Sequence, residues 1–257
     1  MSKVVLITGC SSGLGYETAL WLAKKGYIVY ASMRNLQKKE RLLAASQQQN
    51  TPIHICQLDV CDTESVDDCV EQILKKEQCI DVLINNAGFA VVGEFSKSSN
   101  DDFHKQLDTN FYGVLNCTRG VLPFMLEKQQ GTIINISSIL GLIGAATLSA
   151  YCASKFAMEG WSESIRYELQ GKGINVVLVE PGFFQTDIYN NVNYVSGETD
   201  RDKISARGAS PTKVAKKIER ILKKKKPCRR YTVGYDSLLG HMAKRLLPEF
   251  LSERLVK

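Results

Sequence analysis

The strongest constraint on this chain is a glycine turn near its start. Val4 to Thr8 reads as a short buried strand and runs directly into Gly9-Cys10-Ser11-Ser12-Gly13-Leu14-Gly15. Ser12 to Lys25 then reads as a helix closed by Gly26. The glycines are spaced GxxxGxG. Glycine permits the sharp turn and lets a pyrophosphate approach the backbone, and the helix then aims its amides and positive dipole end at that anion. Alone, such a pattern is only a flexible turn. Between a first strand and a first helix it has the context an anion cradle requires.

The rest of the chain repeats the alternation. Further strands are read at Tyr27 to Ser32, Pro52 to Asp59, Asp81 to Asn85, Gly131 to Ser137, Ile174 to Glu180 and Arg230 to Val233. Helical patterns fall between them: Leu36 to about Ser46, Thr63 to Lys76 with Thr63 as N-cap, Asn100 to Glu127, Ser149 to Gln170, and a helix opened by Ser210-Pro211. Apolar strands spaced by helices imply a parallel sheet covered on both faces. The expected fold class is α/β: one Rossmann-like, doubly wound parallel sheet of about seven strands, filling a single domain over residues 1–257. Residues 183–210 are polar and lack periodicity, and are read as a substrate-binding loop or lid. Residues 211–257 are read as a basic helix and a C-terminal extension.

The glycine turn points to a dinucleotide, and the second strand end points to which one. Dinucleotide folds that prefer NAD often carry Asp or Glu about 20 residues past the glycines, on the ribose hydroxyls. Here the strand ends Tyr30-Ala31-Ser32-Met33-Arg34-Asn35, without a carboxylate. Arg34 suits a 2′-phosphate, and Ser11 and Asn35 can add hydrogen bonds. The expected cofactor is NADP(H).

Tyr151 and Lys155 lie one turn apart on one helix face. A lysine beside a phenol favours phenolate, and a tyrosine so tuned can act as general acid or base. Alone the pair is common. Its company matters: Ser137-Ser138 ends the fifth strand, Asn85-Asn86-Ala87-Gly88 ends the fourth, and Pro181-Gly182 ends the sixth. All sit at the carboxyl edge, where open α/β sheets bind ligands.

With these residues assembled, the sequence resembles the short-chain dehydrogenase/reductase family over about Lys3 to Thr186. The matching motifs are TGxxxGxG at Thr8 to Gly15, NNAG at Asn85 to Gly88, Asn110, Ser138, Tyr151 with Lys155, and Pro181-Gly182 with Thr186. The resemblance implies hydride transfer between nicotinamide and a carbonyl or alcohol carbon. It implies Tyr151 as the proton donor or acceptor, and Ser138 (Ser137 as fallback) as the group orienting the reacting oxygen. Lys155 would bind the nicotinamide ribose and depress the Tyr151 pKa, and Asn110 would help hold a water linking Lys155 to solvent. The implied cofactor residues are Gly9, Ser11, Ser12, Gly13, Leu14, Gly15, Arg34, Asn35, Asp59, Val60, Asn86, Ala87, Gly88, Tyr151, Lys155, Pro181, Gly182 and Thr186. Asp59-Val60 would meet the adenine, or Asp59 would simply cap a turn. Asn86 to Gly88 would line the adenosine ribose, and Thr186 would reach the carboxamide. Within the family, TGCSSGLG, VYASMRN and VEPGFFQT resemble most the NADP-preferring steroid and retinoid dehydrogenases and related bacterial carbonyl reductases. Phe89, Ile139, Leu140, Leu142, Ile143, Phe183, Phe184 and Tyr189 suit a hydrophobic substrate, with several expected to fill core instead.

Charge and cysteine content narrow the partners. The net charge is +6, yet Pro211 to Arg230 alone holds ten basic residues and one acid, leaving the remainder slightly acidic. That argues against a nucleic-acid binder and for a solvated helix end at Lys223 to Lys226. Leu238, Leu239, Met242, Leu246, Leu247, Phe250 and Leu251 form an amphipathic pattern, read as packing on the domain or a partner subunit in preference to a membrane surface. The eight cysteines lack a CxxC pair and the three histidines are scattered, so no metal site is expected. With no signal peptide or membrane-spanning run read, the expected location is the cytoplasm. Homodimers or homotetramers through the regions Asn100 to Glu127 and Ser149 to Gln170 are implied by the resemblance. Two alternatives remain open: an NAD-dependent alcohol dehydrogenase of the same fold, and an NADP(H) sensor without turnover, which has no need of the Tyr-Lys pair.

Overall fold

Alternation along the first strand divides its side chains between two cores. In β1 (Val4–Ile7), Val5 and Ile7 point to one face and Val4 and Leu6 to the other, and all four are buried. The computed structural model describes residues 2–184, 193–195 and 208–246, and only the backbone of 193, 194, 243, 245 and 246. Thr186, Tyr189 and the apolar positions beyond 246 lie outside the described residues. The remaining strands are β2 (Ile28–Met33), β3 (His54–Gln57), β4 (Val82–Asn85), β5 (Val91–Val92), β6 (Gly131–Ile136), β7 (Ile174–Pro181), β8 (Asn193–Tyr194) and β9 (Arg230–Val233). Seven form one sheet in the order β3-β2-β1-β4-β6-β7-β9, every pairing parallel. β5 and β8 pair separately.

Parallel neighbours need crossovers, and helices supply them. One face carries α1 (Gly13–Lys24), α2 (Glu40–Gln48) and, late in the chain, α7 (Thr212–Leu222). The other carries α3 (Thr63–Glu77), α5 (Gly113–Glu127) and the end of α6 (Ser149–Glu168). Each fully buried Leu or Ile adds about 1.5–3 kcal/mol of burial free energy. The order of crossovers reverses between β1 and β4, which opens a crevice at their carboxyl ends.

Helix starts refine the expected boundaries. Asp62, rather than Thr63, is the N-cap of α3: its carboxylate accepts the Glu64 and Ser65 amides, which a threonine already inside the helix cannot reach. The stretch Asn100 to Glu127 is not one regular helix. A capping box of Ser99 and Asp102 opens α4 (Asn100–Leu107), a π turn spans Asp108–Tyr112, and α5 follows. Leu36 opens a 3-10 turn, Leu36–Lys38, before α2 begins.

The C-terminal helix α8 (Tyr235–Leu246) leaves Leu238, Leu239 and Met242 exposed on this chain, so of the two expected packings the one on the domain is not made, while one on a partner subunit keeps a free face. Its inward face is Ser237, whose hydroxyl donates to the Glu180 carbonyl at 2.7 Å, with Gly240 close against Ile139 and Ile143. Short and polar groups let the helix approach the sheet edge closely, which a row of leucines would prevent.

Polar side chains bridge the two central strands. Asn85 of β4 and Asn135 of β6 are register partners, and Asn85 Nδ2 donates to Asn135 Oδ1 at 2.9 Å. Asn85 also reaches Thr118 of α5 at 3.2 Å, and Asn135 Nδ2 donates to Ser162 of α6 at 2.8 Å. Asn135→Ala strands the buried donor of Asn85 and the Ser162 hydroxyl. Urea denaturation is expected to show a loss of roughly 2–4 kcal/mol, where an ordinary surface substitution costs under about 0.5 kcal/mol.

Candidate active site

The phosphate turn is held from below by β4. Thr8 Oγ1 accepts the backbone amides of Asn86 (3.0 Å) and Ala87 (2.9 Å). Asn86 Nδ2 donates back to the carbonyls of Thr8 (2.8 Å) and Gly9 (3.0 Å). These bonds close the β1/β4 crevice. They leave no room for side chains: a Cβ on Gly15 would lie 2.4 Å from Asn86 Nδ2 and from the Gly9 carbonyl. Gly9 adopts φ +72° and would meet Ala87 Cα at 2.7 Å. Cys10 is fully buried, donates its thiol to the Ile7 carbonyl, and is pushed far up from ordinary thiol acidity by burial.

The first helix is left open at its N-terminus. Ser12 is the N-cap of α1 but makes no side-chain capping bond, and its first turn holds no acidic residue. In α3 and α4, by contrast, the same amides are satisfied by Asp62 and Ser99. Ser11, Ser12, Gly13 and Leu14 are only half-buried, so the uncapped amides of α1 face solvent where an anion would sit. The turn therefore fits a dinucleotide pyrophosphate.

The ends of β2 and β3 lie beside this turn. The Arg34 side chain is 77% exposed, with Nε 3.9 Å from Asp59 Oδ2. Asp59 Oδ1 accepts the Cys61 amide at 3.0 Å, so the aspartate caps its turn and also faces the arginine. Asn35 accepts the Gln37 amide at 2.9 Å. Val60 is buried under Gly113, and its carbonyl takes the Asn116 side chain at 3.0 Å.

Ser138, Tyr151 and Lys155 assemble at the ends of β6 and the start of α6. The Lys155 ammonium is buried, donates to the Ile136 carbonyl at 2.8 Å, and lies 5.7 Å from the centre of the Tyr151 ring. Burial holds it down to about 8, against an upward pull from Glu159. Ser138 Oγ accepts the Leu140 amide at 3.2 Å, so its own hydrogen is left to donate outward. Asn110 sits wholly buried in the π turn. Its Oδ1 accepts the Phe89 amide (3.1 Å), and its Nδ2 donates to the Phe89 carbonyl (3.0 Å) and to Ser154 Oγ (3.3 Å). Ser154 in turn donates to the Tyr151 carbonyl at 2.7 Å. The asparagine side chain thus ties the segment after β4 to the tyrosine helix, and both Nδ2 hydrogens are engaged.

Several supports escaped the sequence reading. Ser154, Glu159, Glu180, Arg230 and Asp236 all bear on the site. The Asp236 carboxylate accepts the Phe183 amide, and a Cβ on Gly182 would fall 2.1 Å from that carboxylate. Glu159 was within reach of a sequence argument, because it continues the four-residue stripe of Tyr151 and Lys155. Asp236 gave no local signal, since its partner lies 53 residues away. Among the apolar candidates, Leu140, Leu142, Ile143 and Phe89 are half-buried and Phe183 is 47% exposed. Phe184 is buried in the cluster that packs on α1.

Fold and site together define an α/β oxidoreductase with a dinucleotide turn and a Ser-Tyr-Lys edge. The short chain dehydrogenase family model matches residues 3–195, and the chain belongs to the short-chain dehydrogenase/reductase family of oxidoreductases. It is 36% identical over 261 residues to the uncharacterized oxidoreductase YbbO of Escherichia coli (strain K12), covering 100% of this chain and 95% of that one. It is 39% identical over 264 residues to retinol dehydrogenase 8 of Bos taurus, covering 93% and 84% respectively. A crystal structure of a short-chain dehydrogenase from Streptomyces avermitilis superimposes with a TM-score of 0.85 at 30% identity, over 99% of this chain and 97% of that one.

The thiols make a direct check on this geometry. Cys61 and Cys228 are exposed, whereas Cys10, Cys56, Cys69, Cys117 and Cys152 are buried with burial raising the thiol pKa wherever a shift is resolved. Mass spectrometry after brief iodoacetamide treatment is expected to find label on Cys61 and Cys228, and on the buried five only after unfolding. Early labelling of Cys10 would show that the phosphate turn is open.

Proposed function

We propose that this chain is an NADP(H)-dependent oxidoreductase acting between a carbonyl and a secondary alcohol on a hydrophobic substrate. The observation that carries the reading is the Lys155 ammonium, buried beside the Tyr151 ring at the sheet edge that also presents Ser138. When bound, the nicotinamide supplies or accepts the hydride.

The chain's own residues would do the rest. The Tyr151 hydroxyl would donate a proton to the substrate oxygen in reduction and remove it in oxidation. Ser138 would donate its free hydrogen to that same oxygen. Lys155 would hold a positive charge against the tyrosine, favouring loss of the phenolic proton. Its ammonium would also meet a ribose hydroxyl, while Asn110 would fix the backbone around a water leading from the lysine outward. Ser11, Ser12 and the amides of Gly13 to Gly15 would take the pyrophosphate. Asp59 and Val60 would flank the adenine, with Asn86, Ala87 and Gly88 along the adenosine ribose. Pro181, Gly182 and Thr186 would lie near the carboxamide.

The NADP(H) preference rests on Arg34, a cation at the β2 end with no carboxylate on that strand end. Its partner Asp59 stands just past the end of β3 and, at 3.9 Å from a largely exposed arginine, holds it weakly. The hydrophobic substrate rests on Leu142, Ile143 and Phe183 around the mouth, and on the likeness to a retinol dehydrogenase. Exposed Tyr112 and Phe156, on the regions expected to form subunit contacts, support a homodimer or homotetramer.

Titrating NADPH and NADH by nicotinamide fluorescence tests the cofactor. NADPH is expected to bind tighter, and Arg34→Ala to weaken it by roughly 10–100-fold while sparing NADH. NADH binding as tight as NADPH, unchanged by the substitution, would move the reading to an NAD enzyme. Tyr151→Phe is expected to lower turnover of hydrophobic ketones and aldehydes by ~10³-fold with NADPH affinity kept. Binding without any turnover in the wild type would point to a sensor.

A further inference from the structure

The face of α6 that carries the tyrosine and the lysine does not stop at Lys155. Glu159 follows one turn later and Glu163 one turn after that, so the stripe reads Tyr151, Lys155, Glu159, Glu163. Glu159 is buried, and Glu163 is half-exposed. A buried carboxylate one turn from a buried ammonium needs an explanation, because each alone is costly to remove from water.

The surroundings supply one. From β9, Arg230 reaches across and pairs with Glu159, with Glu180 of β7 at 3.0 Å and with Glu163 at 3.1 Å. From α8, His241 Nδ1 lies 3.5 Å from Glu180 Oε2. On the remaining side stands Ser137 of the β6 end. Its hydroxyl and Glu159 Oε1 are both buried with no hydrogen-bond partner among the described residues, and Ser137 is near enough to favour the ionised Glu159. Gly141 closes this corner: a Cβ there would lie 2.9 Å from Ser137 Oγ and 3.0 Å from Glu159 Cγ. Lys155 itself has the Ile136 carbonyl as hydrogen-bond partner, and among the described residues no carboxylate stands within ion-pair distance of it. Glu180 is committed to Arg230, and Glu163 is wet. Glu159 is therefore the buried anion on the lysine's own face.

We propose that Glu159 is a positioning residue for the reaction: pinned by Arg230 one turn below Lys155, its carboxylate keeps the buried ammonium charged and so keeps the tyrosine's partner in its working state. This rests on the oxidoreductase reading for its consequence, but the pull of Glu159 on Lys155 across one helical turn is a property of the protein without cofactor. The titration behaviour is consistent with it. Burial pushes the Glu159 carboxyl up to about 7, opposed by Ser137 and Arg230 and assisted by Glu180, while Lys155 is held down to about 8. Removing the carboxylate charge disfavours the ammonium, so the lysine must lose its proton at lower pH.

The experiment is an NMR titration of the protein carrying Cε-labelled lysine, with Lys155→Met used to assign the resonance. Glu159→Gln is expected to move the Lys155 midpoint down by about one pH unit. Glu163→Gln, one turn farther and half in water, is expected to leave it in place. A folded Glu159→Gln protein whose Lys155 titrates as in the wild type overturns the proposal. In the wild type the same resonance is expected to show a second, smaller step as Glu159 titrates. Its absence overturns the proposal even where the variant fails to fold. With NADP and a hydrophobic secondary alcohol, the rise of kcat/KM with pH is expected to shift to higher pH in Glu159→Gln, because a less charged lysine favours loss of the Tyr151 proton less, which a loss of stability alone does not produce. Wild-type protein that turns over no carbonyl while the NMR shift appears defeats the oxidoreductase reading and leaves the pull of Glu159 on Lys155 intact.

Discussion

The seam between β1 and β4 is the constraint on which the site depends. A parallel sheet buried on both faces can present polar chemistry only where its strands end, and the doubly wound order opens a single crevice between strands that leave in opposite directions. Thr8 and Asn86 hold that crevice by four hydrogen bonds from one strand end to the other. They bring the backbone of the phosphate turn against Ala87 so closely that side chains at Gly9 and Gly15 are excluded. The open amides of α1 follow from this. With the turn fixed and Ser12 left uncommitted, the helix start keeps unmet donors that a bound anion can take.

Much of this was legible in the sequence because it is local. The glycine spacing, the strand ends at Asn85 to Gly88 and Pro181-Gly182, and the Tyr151-Lys155 pair each span a few residues and carry their own geometry. Strand order could be expected because alternating strands and helices admit few other arrangements. What was hidden was pairing across distance. Asn135 is visible as one polar residue in an apolar strand, but its partners Asn85 and Ser162 belong to other elements. The π turn was hidden as well: helical periodicity extends through it, and only the register change that buries Asn110 reveals it. Leu238, Leu239 and Met242 were read as a face for the domain or a partner subunit, because an amphipathic pattern says that a helix has two faces, not which of them the domain covers.

Electrostatically the site is built in two tiers. Nearest the crevice lie uncharged donors and acceptors: backbone amides, Ser138, Tyr151 and the carboxamide of Asn110. Beneath them lies a set of ionisable groups, buried Lys155, Glu159 and Glu180 with half-buried Arg230. Charges at that depth are poorly screened, so a substitution there changes the field at the surface tier without touching it.

The closing of the α1 face by α7 bears on how the protein is made. Val214, Ile218, Ile221 and Leu222 complete the cluster that Ala19, Leu20 and Leu22 begin, Trp21 donates to Glu219 at 2.8 Å, and Lys3 donates to the Leu222 carbonyl at 2.9 Å. Partners separated by roughly two hundred residues cannot meet while the chain is still being synthesised. The nascent chain therefore carries an apolar face through most of its emergence from the ribosome. Loop closure over that span makes the final docking slow, as expected where contacts are mostly non-local. The apolar face of α1 thus stays uncovered until Thr212–Leu222 has been made.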